Sequence, residues 1–588
     1  MSSARMEMSG SVVAAGNSNG NGLMLPPSSA SIPQAQLSQS HPSQSHPSQS
    51  QHQIAPPLFA QLGVQLLVLL ACWLLLVLRH LSNDGLWFQG DAPRHLLNGI
   101  FWTDLVADGW RDPVDYAQRY YARYPAITPS RYPPVFHWLE AALFSVVPFS
   151  AAAGKGLVLA SSLVGASYLL YALRRWVAVQ AGLLAGLLLW MPAMISWSHA
   201  VMTNIPAVTF ALAGLVHLRC ALDPCELRTG RRQLGLALIL LTLAVLTHPT
   251  IAYVGLIAAA WFLLTPRWDY LRSWRFMLVP IGCLLSLIVT FYILRRLSPD
   301  QFAQARLHQV AQGRNLLFYI RLFPTMIGPW LVALVALGLV LQVSLAQVRR
   351  DGVRGVVAGL IAYTVVTPIW AKDERYLLLA CPWAVGFMAF AVVQLQQFAA
   401  RLGGQRIANC LFLTLCLSVA GYLGVMLQRH PVVSVNCLEL VEREAAKLAP
   451  TGPVLYDGRY DGVFTYHVRR RDEQFERQVI SARRWVEFSG QQTVEQITRS
   501  LVDSGCRYLV VEQPLRPNRR DSWEELMRHV QARPELQLVK SIVDLPQPLP
   551  SFHIYRLAPQ TDSPSAPAPD LAIPLFDRRV APLPRRSN

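Results

Sequence analysis

Two residues of opposite charge stand in the segment Gly90–Asn98, GDAPRHLLN, which follows the first long apolar run. Asp91 supplies a carboxylate, and Arg94 lies three residues later, so the two side chains share one face of a helical turn. A carboxylate can accept a proton from a nucleophile, and a guanidinium can bind a phosphate. Most Asp/Arg pairs are solvated surface ion pairs, so the function of this pair depends on what the chain places beside it.

Further candidate residues stand at the ends of later apolar runs. Each also has a structural interpretation: a His-Pro turn for His248, a solvated cluster for Lys372–Arg375, and interfacial anchors for the tyrosines. Their convergence on one face of a membrane would favour a site that binds a lipid phosphate. The candidates for substrate binding are Arg94, Tyr132, Asn204, His248, Lys372, Arg375 and Tyr376, and Asp91 is the candidate catalytic base.

The composition indicates a polytopic membrane protein. Hydrophobic residues make up 52% of the 588 residues, and charged residues only 15%, against roughly 25% in soluble proteins. The net charge of +17 is carried mostly by arginine pairs between apolar runs. Such pairs are typical of topology signals and contacts to lipid phosphates, so no nucleic-acid partner is predicted.

The apolar runs predict about eleven transmembrane helices. Residues 58–78 are long enough to cross the roughly 30 Å hydrocarbon core, whereas 135–149 is short for a span and is predicted to lie at the interface. The later runs are 156–173, 178–195, 205–221, 234–247, 250–265, 276–294, 326–346, 355–371, 377–396 and 407–427.

The arginines predict the orientation of these helices. If 135–149 does not cross, fourteen arginines fall in five short loops on one side, which the positive-inside rule makes cytoplasmic. The N-terminus is then cytoplasmic. The Asp91 loop and everything after about residue 428 are then external, which in a bacterial inner membrane means periplasmic.

The two ends of the chain differ from its middle. Residues 1–57 are predicted to be a disordered cytoplasmic tail, and the Pro/Ser-rich residues 561–588 a second disordered tail. Residues 429–560 alternate strand patterns with helix patterns at Asn436–Leu448, Thr493–Ser504 and Ser522–Gln531. This alternation predicts a small extracytoplasmic α/β domain without a nucleotide-binding loop. Cys437 and Cys506 could pair there if the domain faces an oxidising space.

The ordered motifs from residue 58 to 428 resemble the GT-C glycosyltransferases. The resemblance is to the protein O-mannosyltransferase and aminoarabinose-transferase group, glycosyltransferase family 39, in a bacterial subgroup with a C-terminal α/β domain. It implies a polyprenyl-phosphate sugar donor, an external active site and juxtamembrane helices in the first external loop, 80–155. The motifs are the acid with Arg three residues later, RYPPVFHWLEAALF, MTNIPA, LTHPTIAYV, KDERYLLLACP and the later VLYDGRYDGVF.

The sequence departs from this family at Asn204, where the family usually has a second acid. An amide can hydrogen-bond an acceptor but cannot hold a proton or a negative charge at neutral pH. The expected function is inverting transfer of a sugar to a lipid, glycan or protein acceptor, with Asp91 as base. No metal ligand is assigned and no cofactor is demanded, although a divalent metal stays open. A lipid-linked-sugar flippase, or a non-catalytic relative that binds cell-envelope polymer, remains an alternative.

Overall fold

A computed structural model gives the fold. It describes residues 60–81, 85–86, 91–128, 132–223, 226–265, 267–297, 317–345, 348–369, 372–429, 437–482, 496, 501, 505–513, 536–543, 551–557, 571–573, 578–580 and 584. The predicted N-terminal tail and most of the 295–325 loop lie outside these residues.

Long apolar helices make up most of residues 60–429. Among the described residues, six helices are long and apolar enough to cross a membrane, or up to eight spans if each of two bent pairs counts as one. The six are α1 (Leu62–Leu81), α5 (Ala151–Trp176), α7 (Asn204–Leu222), α8 (Leu227–Thr247), α10 (Trp274–Leu297) and α14 (Ala380–Arg429).

The two bent pairs break at residues that cannot continue a regular helix. The 3₁₀ helix Val179–Trp190 meets α6 (Pro192–Ser198) at 57°, with a proline at the junction. The second pair bends by 99° between α11 (Phe318–Ile327) and Pro329–Ser344, the segment that contains α12 (Val332–Ser344). Gly328 stands at this bend with φ +102°, a conformation that favours glycine.

Each of the eleven predicted apolar runs coincides with a helical segment, and the helical membrane fold class is confirmed. Two predicted runs lie in the 50-residue α14, which is interrupted at Gly404 by non-helical dihedrals. The remaining runs are the short α9 (Tyr253–Leu264), preceded by a 3₁₀ turn, and α13 (Arg349–Val366). The total of eleven spans stays a prediction, because α9 has only 12 residues and α13 carries four charged residues among its 18.

Three helices between α1 and α5 form the first-loop region. They are α2 (Ala92–Ala107), α3 (Pro113–Arg123) and α4 (Val135–Phe144). The side chain of Asp112 caps α3 by accepting a hydrogen bond from the Asp115 amide. With 10 residues, α4 is only about 15 Å long, half the thickness of a hydrocarbon core.

The C-terminal region forms a small mixed sheet flanked by helices, as predicted. The strand order is β2-β1-β3-β5-β4, in which β2, β1 and β3 are parallel while β5 runs antiparallel to β3 and β4. The strands are β1 (Gly452–Asp457), β2 (Arg477–Ser481), β3 (Tyr508–Gln513), β4 (Leu536–Ile542) and β5 (Ser551–Leu557).

Four features of this region differ from the sequence analysis or lie beyond it. Helix α15 (Cys437–Leu448) was predicted, but α16 (Asp461–Arg471) was not. The predicted helices around 493–504 and 522–531 lie almost wholly outside the described residues. In the tail predicted to be disordered, β6 (Leu571–Ile573) pairs with β7 (Arg578–Val580). Cys437 and Cys506 are buried free thiols, so the open suggestion of a disulfide between them is wrong.

Candidate active site

Asp91 stands at the beginning of α2, immediately before the helix. Its carboxylate makes no hydrogen bond to the helix N-terminus, so it is available to other side chains. Arg375 Nη1 donates to Asp91 Oδ2 at 3.1 Å, and Arg94 Nη1 lies 3.9 Å from Asp91 Oδ1. The three side chains are each about 18% exposed. The carboxylate therefore lies between two guanidinium groups in a partly buried setting.

Arg375 is held from several sides. It lies in the 3₁₀ turn Glu374–Leu377, whose first residues are fixed by Asp373, which accepts from the Arg375 amide at 3.1 Å. Asp373 Oδ2 also lies 3.3 Å from Arg375 Nε. The guanidinium carbon lies 5.5 Å from the Trp197 ring centre and 5.2 Å from that of Tyr376, within cation–π distance. These contacts fix the position of the guanidinium beside Asp91.

Asn204 and His248 line one small cavity with Arg375 and Tyr376. Asn204 begins α7, is 3% exposed, and its Oδ1 has no partner among the described residues. His248 follows α8, and its Nδ1 accepts from the Thr250 amide at 3.3 Å. Its Nε2 therefore carries the proton in the neutral ring.

His248 is neutral at physiological pH. Burial lowers the pKa of His248 to about 3, and the charge of Arg375 acts in the same direction. The ring can thus donate a hydrogen bond from Nε2 but adds no positive charge to the site. His248 was predicted to bind substrate, and as a neutral ring it can do so only by hydrogen bonding.

Tyr132 joins this group through a residue that the sequence analysis did not single out. The ring of His95 lies 4.5 Å from that of Tyr132, and His95 Nδ1 lies 3.0 Å from His137 Nε2. Burial lowers the pKa of His95 well below its usual range, and His137, His248, Arg375 and Arg94 lower it further. His95 is therefore an uncharged group between α4 and the Asp91 site.

Lys372 is not brought into the Asp91 cluster. Its Nζ donates to the Thr367 carbonyl and lies 5.5 Å from the Tyr319 ring centre. Glu374 instead lies next to the Asp91 cluster, because its Oε1 accepts a hydrogen bond at 2.8 Å from Nε1 of Trp197, whose ring contacts Arg375. Trp197 is thus a second site residue that the sequence analysis did not single out. In the sequence it looks like any other aromatic residue near the end of a helix.

The charges of the ion-paired core balance. Two guanidiniums, from Arg94 and Arg375, face two carboxylates, from Asp91 and Asp373. The core carries no surplus of positive charge, so an incoming anion would have to share a guanidinium that is now paired with a carboxylate. Within the described ranges, no group of three His, Cys, Asp or Glu side chains is arranged to hold a metal ion.

Comparisons with known proteins identify the fold. No protein-family model matches the chain, and no curated protein matches it. Among solved structures, ArnT from Cupriavidus metallidurans in the apo state shares 14% identity at a TM-score of 0.59, covering 85% of this chain and 99% of its own. The same protein bound to undecaprenyl phosphate gives a TM-score of 0.57 at 14% identity and the same coverage.

An archaeal protein gives a weaker match. The oligosaccharyltransferase of Archaeoglobus fulgidus, tethered to an acceptor peptide containing the NVT sequon, shares 12% identity at a TM-score of 0.50. The match covers 76% of this chain and 69% of that protein. At these identities the likeness establishes the fold and not the activity. The resemblance drawn from the motifs is confirmed at that level: the chain is an integral membrane protein with the fold of the GT-C glycosyltransferases.

Proposed function

We propose that the protein is a membrane glycosyltransferase that moves a sugar from a polyprenyl-phosphate donor to a lipid, glycan or protein acceptor. The observation that carries this proposal is the Asp91–Arg375 ion pair at 3.1 Å, supported by Arg94 at 3.9 Å. It places a proton acceptor directly beside two groups that bind phosphate. The solved structure of ArnT with undecaprenyl phosphate supports a lipid-phosphate donor for this fold.

The transfer would proceed by one inverting displacement. The acceptor hydroxyl or amine attacks the anomeric carbon, its proton passes to Asp91, and the bond from that carbon to the phosphate oxygen breaks. The electron pair of that bond leaves with the lipid phosphate, whose growing charge Arg375 and Arg94 would bind. His248 would donate one neutral hydrogen bond from Nε2. Asp91 loses its negative charge in the same step, so its attraction for Arg375 weakens as the phosphate requires that guanidinium.

The location follows from the predicted topology. An N-terminus in the cytoplasm places Asp91, Arg375 and the C-terminal domain on the external side of a bacterial inner membrane. Asp91, Arg94 and Arg375 do not determine which sugar, which acceptor or which length of lipid the site would bind. A divalent metal is not demanded by the proposed step.

The alternatives predict different fates for the donor. A flippase would move a lipid-linked sugar across the membrane without breaking the sugar–phosphate bond. A non-catalytic relative would bind the donor or a cell-envelope polymer without turnover, and Asn204 in place of an acid is the feature that favours it. The partly buried carboxylate–guanidinium pair at the beginning of α2 favours the transferase over both.

A donor-cleavage assay tests the proposal. Purified protein in nanodiscs is incubated with extracted polyprenyl-phosphate sugars, and release of free polyprenyl phosphate is followed by mass spectrometry with membrane extract as the acceptor source. We expect release with wild-type protein and a large loss with Asp91→Asn. Donor that is bound or moved across the bilayer but never cleaved would reject the transferase in favour of the alternatives.

A further inference from the structure

The C-terminal domain contacts the turn of α2 that follows Asp91. Gly462, in the first turn of α16, is so close to this turn that a Cβ added there would lie 3.1 Å from Pro93 Cγ and 3.8 Å from Arg94 Cγ. Pro93 stands between the catalytic candidate Asp91 and Arg94. The domain therefore forms part of the immediate surroundings of the Asp91 site.

A buried ion pair joins the same two helices farther along. Arg469 of α16 and Asp104 of α2 have side chains only 2% and 4% exposed. Arg469 Nη2 donates to both Asp104 oxygens, at 2.6 and 2.7 Å, and Arg469 Nε donates to Asp104 Oδ2 at 3.1 Å. The Tyr120 hydroxyl donates to Asp104 Oδ2 at 2.7 Å, which brings α3 into the same group.

Hydrogen bonds around this ion pair also cross between the first-loop region and the C-terminal domain. The Tyr124 hydroxyl donates to Asp472 Oδ2 at 2.6 Å, and Gln478 Nε2 donates to the Ala122 carbonyl at 2.9 Å. Arg123 Nη1 donates to the Arg477 carbonyl at 3.0 Å. Lifting the domain away would break all of these hydrogen bonds together with the Arg469–Asp104 ion pair.

We propose that the C-terminal domain is a fixed wall of the Asp91 site, and that Arg469 is a positioning residue for Asp91. Arg469 acts through α2, a single helix that begins after Asp91 and contains Asp104 about 18–20 Å along its axis. Arg375 holds the beginning of this helix and Arg469 holds its second half. If the wall is fixed, the acceptor must enter the site without the domain moving away. The measurements of activity that test this inference rest on the proposed function.

Substitution of Arg469 tests the positioning role. We expect Arg469→Met to lower kcat at least about tenfold while the KM for the lipid donor changes less. The reason is that Asp91 is displaced with α2, whereas Arg375, which would bind the lipid phosphate, lies in a separate turn. Arg469→Lys should recover part of the loss because it keeps the charge. Amide exchange across residues 92–107 should rise in Arg469→Met, whatever the activity.

The matched control is Arg471→Met on the same helix. Arg471 is 32% exposed, and its ion pairs are with Glu442 and Glu439 inside the domain. Equal activity and equal exchange in the Arg469 and Arg471 variants would overturn the positioning role. If wild-type protein has no transferase activity, the proposed function fails, while the exchange measurement still tests the role of Arg469.

A cross-link tests whether the wall is fixed. The added Cβ of Gly462 lies 3.6 Å from Pro93 Cβ, within the range of about 3.5–4.5 Å that suits a disulfide. In Pro93→Cys/Gly462→Cys, we expect oxidation to form the cross-link and to leave activity within about twofold of the same protein after reduction. Wild-type protein treated identically controls for the native cysteines. Activity lost on oxidation and restored by reductant would show that the domain must move and would overturn the fixed wall, as would failure of the thiols to cross-link.

Discussion

Arg375 Nη1 lies 3.1 Å from Asp91 Oδ2 although 284 residues separate them in the chain. The pair joins the beginning of α2 to the turn before α14. These two elements lie near opposite ends of the membrane domain's sequence. In the proposed reaction, the charges of Asp91 and of the lipid phosphate change together. Asp91 is neutralised by the acceptor proton, while the phosphate gains negative charge and becomes a stronger ligand for Arg375. The ion pair would thus couple proton acceptance to leaving-group binding.

Substitution of Arg375 should separate charge from geometry. Arg375→Ala removes a charge-assisted contact worth roughly 1.5–3 kcal/mol, so turnover should fall on the order of ten- to a hundredfold. Arg375→Lys should lose less, because it keeps the charge but not the two-pronged donor. Donor cleavage by purified variants is the measurement, and Arg119→Ala, which breaks an exposed pair with Asp115, is the control. Unchanged turnover in Arg375→Ala would show that this arginine serves only as an anchor.

Replacement of Asp91 by Asn tests the base. The amide keeps the size of the side chain and accepts a hydrogen bond from Arg375, but it cannot take the acceptor proton. Loss of a general base typically costs roughly 10²–10⁴-fold in rate. Transfer from lipid-linked sugar should fall by this order, whereas the exposed Asp115→Asn should behave as wild type. Full activity in Asp91→Asn would move the base role to Asp373 or Glu374.

The grouping of the site residues could be predicted from the sequence, because most of these residues stand where an apolar run ends. The alternation of arginine-rich and arginine-poor loops placed those ends on one face, and Asp91, Arg375, Asn204 and His248 do meet there. Lys372 stands at the same kind of position but contacts Tyr319. The direction of a side chain within a turn is set by tertiary packing, which position in the chain does not reveal.

The residues that were missed share one cause. His95 lies within α2 and Trp197 near the end of α6, so both look like ordinary helical residues in the sequence. Helix α16 was missed because DGVFTYHVRRR is rich in β-branched and aromatic residues, which favour strands. Packing of this segment against α2 and the sheet overrides that preference. The five strands of the mixed sheet were predictable, since each is a short segment that contains β-branched or aromatic residues.

Because of Glu140, the free energy of unfolding of the protein should decrease as pH rises. Its side chain is fully buried in α4, and neither carboxylate oxygen has a partner among the described residues. Burial raises the pKa of Glu140 well above its usual value. Above the unfolded pKa the native state binds the extra proton, so stability decreases with pH until the folded pKa is passed.

Glu140→Gln provides the measurement for this effect. We expect its melting temperature at neutral pH to exceed that of the wild type. The difference should shrink toward pH 4, where the unfolded glutamate is mostly protonated and therefore resembles the neutral glutamine. Thermal unfolding in detergent between pH 4 and 8 follows the two proteins. Parallel curves across this range would contradict a buried, protonated Glu140.

Cysteine labelling should define the orientation. Membrane-impermeant maleimide added to intact spheroplasts should label Asp108→Cys in the first-loop region and Lys447→Cys in the C-terminal domain, but not Arg228→Cys in an arginine-rich loop. Arg228 is exposed, whereas a Cβ at nearby Gly230 would lie 2.1 Å from the Tyr270 hydroxyl. Labelling of Arg228→Cys in intact spheroplasts, with Asp108→Cys and Lys447→Cys labelled only after lysis, would reverse the orientation. Finding residues 108 and 228 on the same side would reject the predicted number of spans between them.

Restoring an acid at position 204 tests the departure from the family pattern. In Asn204→Asp, the new carboxylate would enter a cavity that Arg375 also lines, so its charge has a potential partner. We therefore expect protein of normal abundance and donor cleavage that is higher than wild type or within about threefold of it, less than ~1 kcal/mol.

The double variant Asp91→Asn/Asn204→Asp shows whether the two positions can exchange roles. If Asp91 alone is placed to receive the acceptor proton, the added acid should not rescue Asp91→Asn, and the loss should stay near that of the single variant. Rescue would show that either position can hold the base. A single Asn204→Asp variant that loses more than about tenfold, ~1.4 kcal/mol, would instead indicate that the amide is retained to avoid repelling an anionic acceptor. Assays with neutral and anionic acceptor fractions distinguish that cause from a folding defect, since only the anionic fraction should then lose activity.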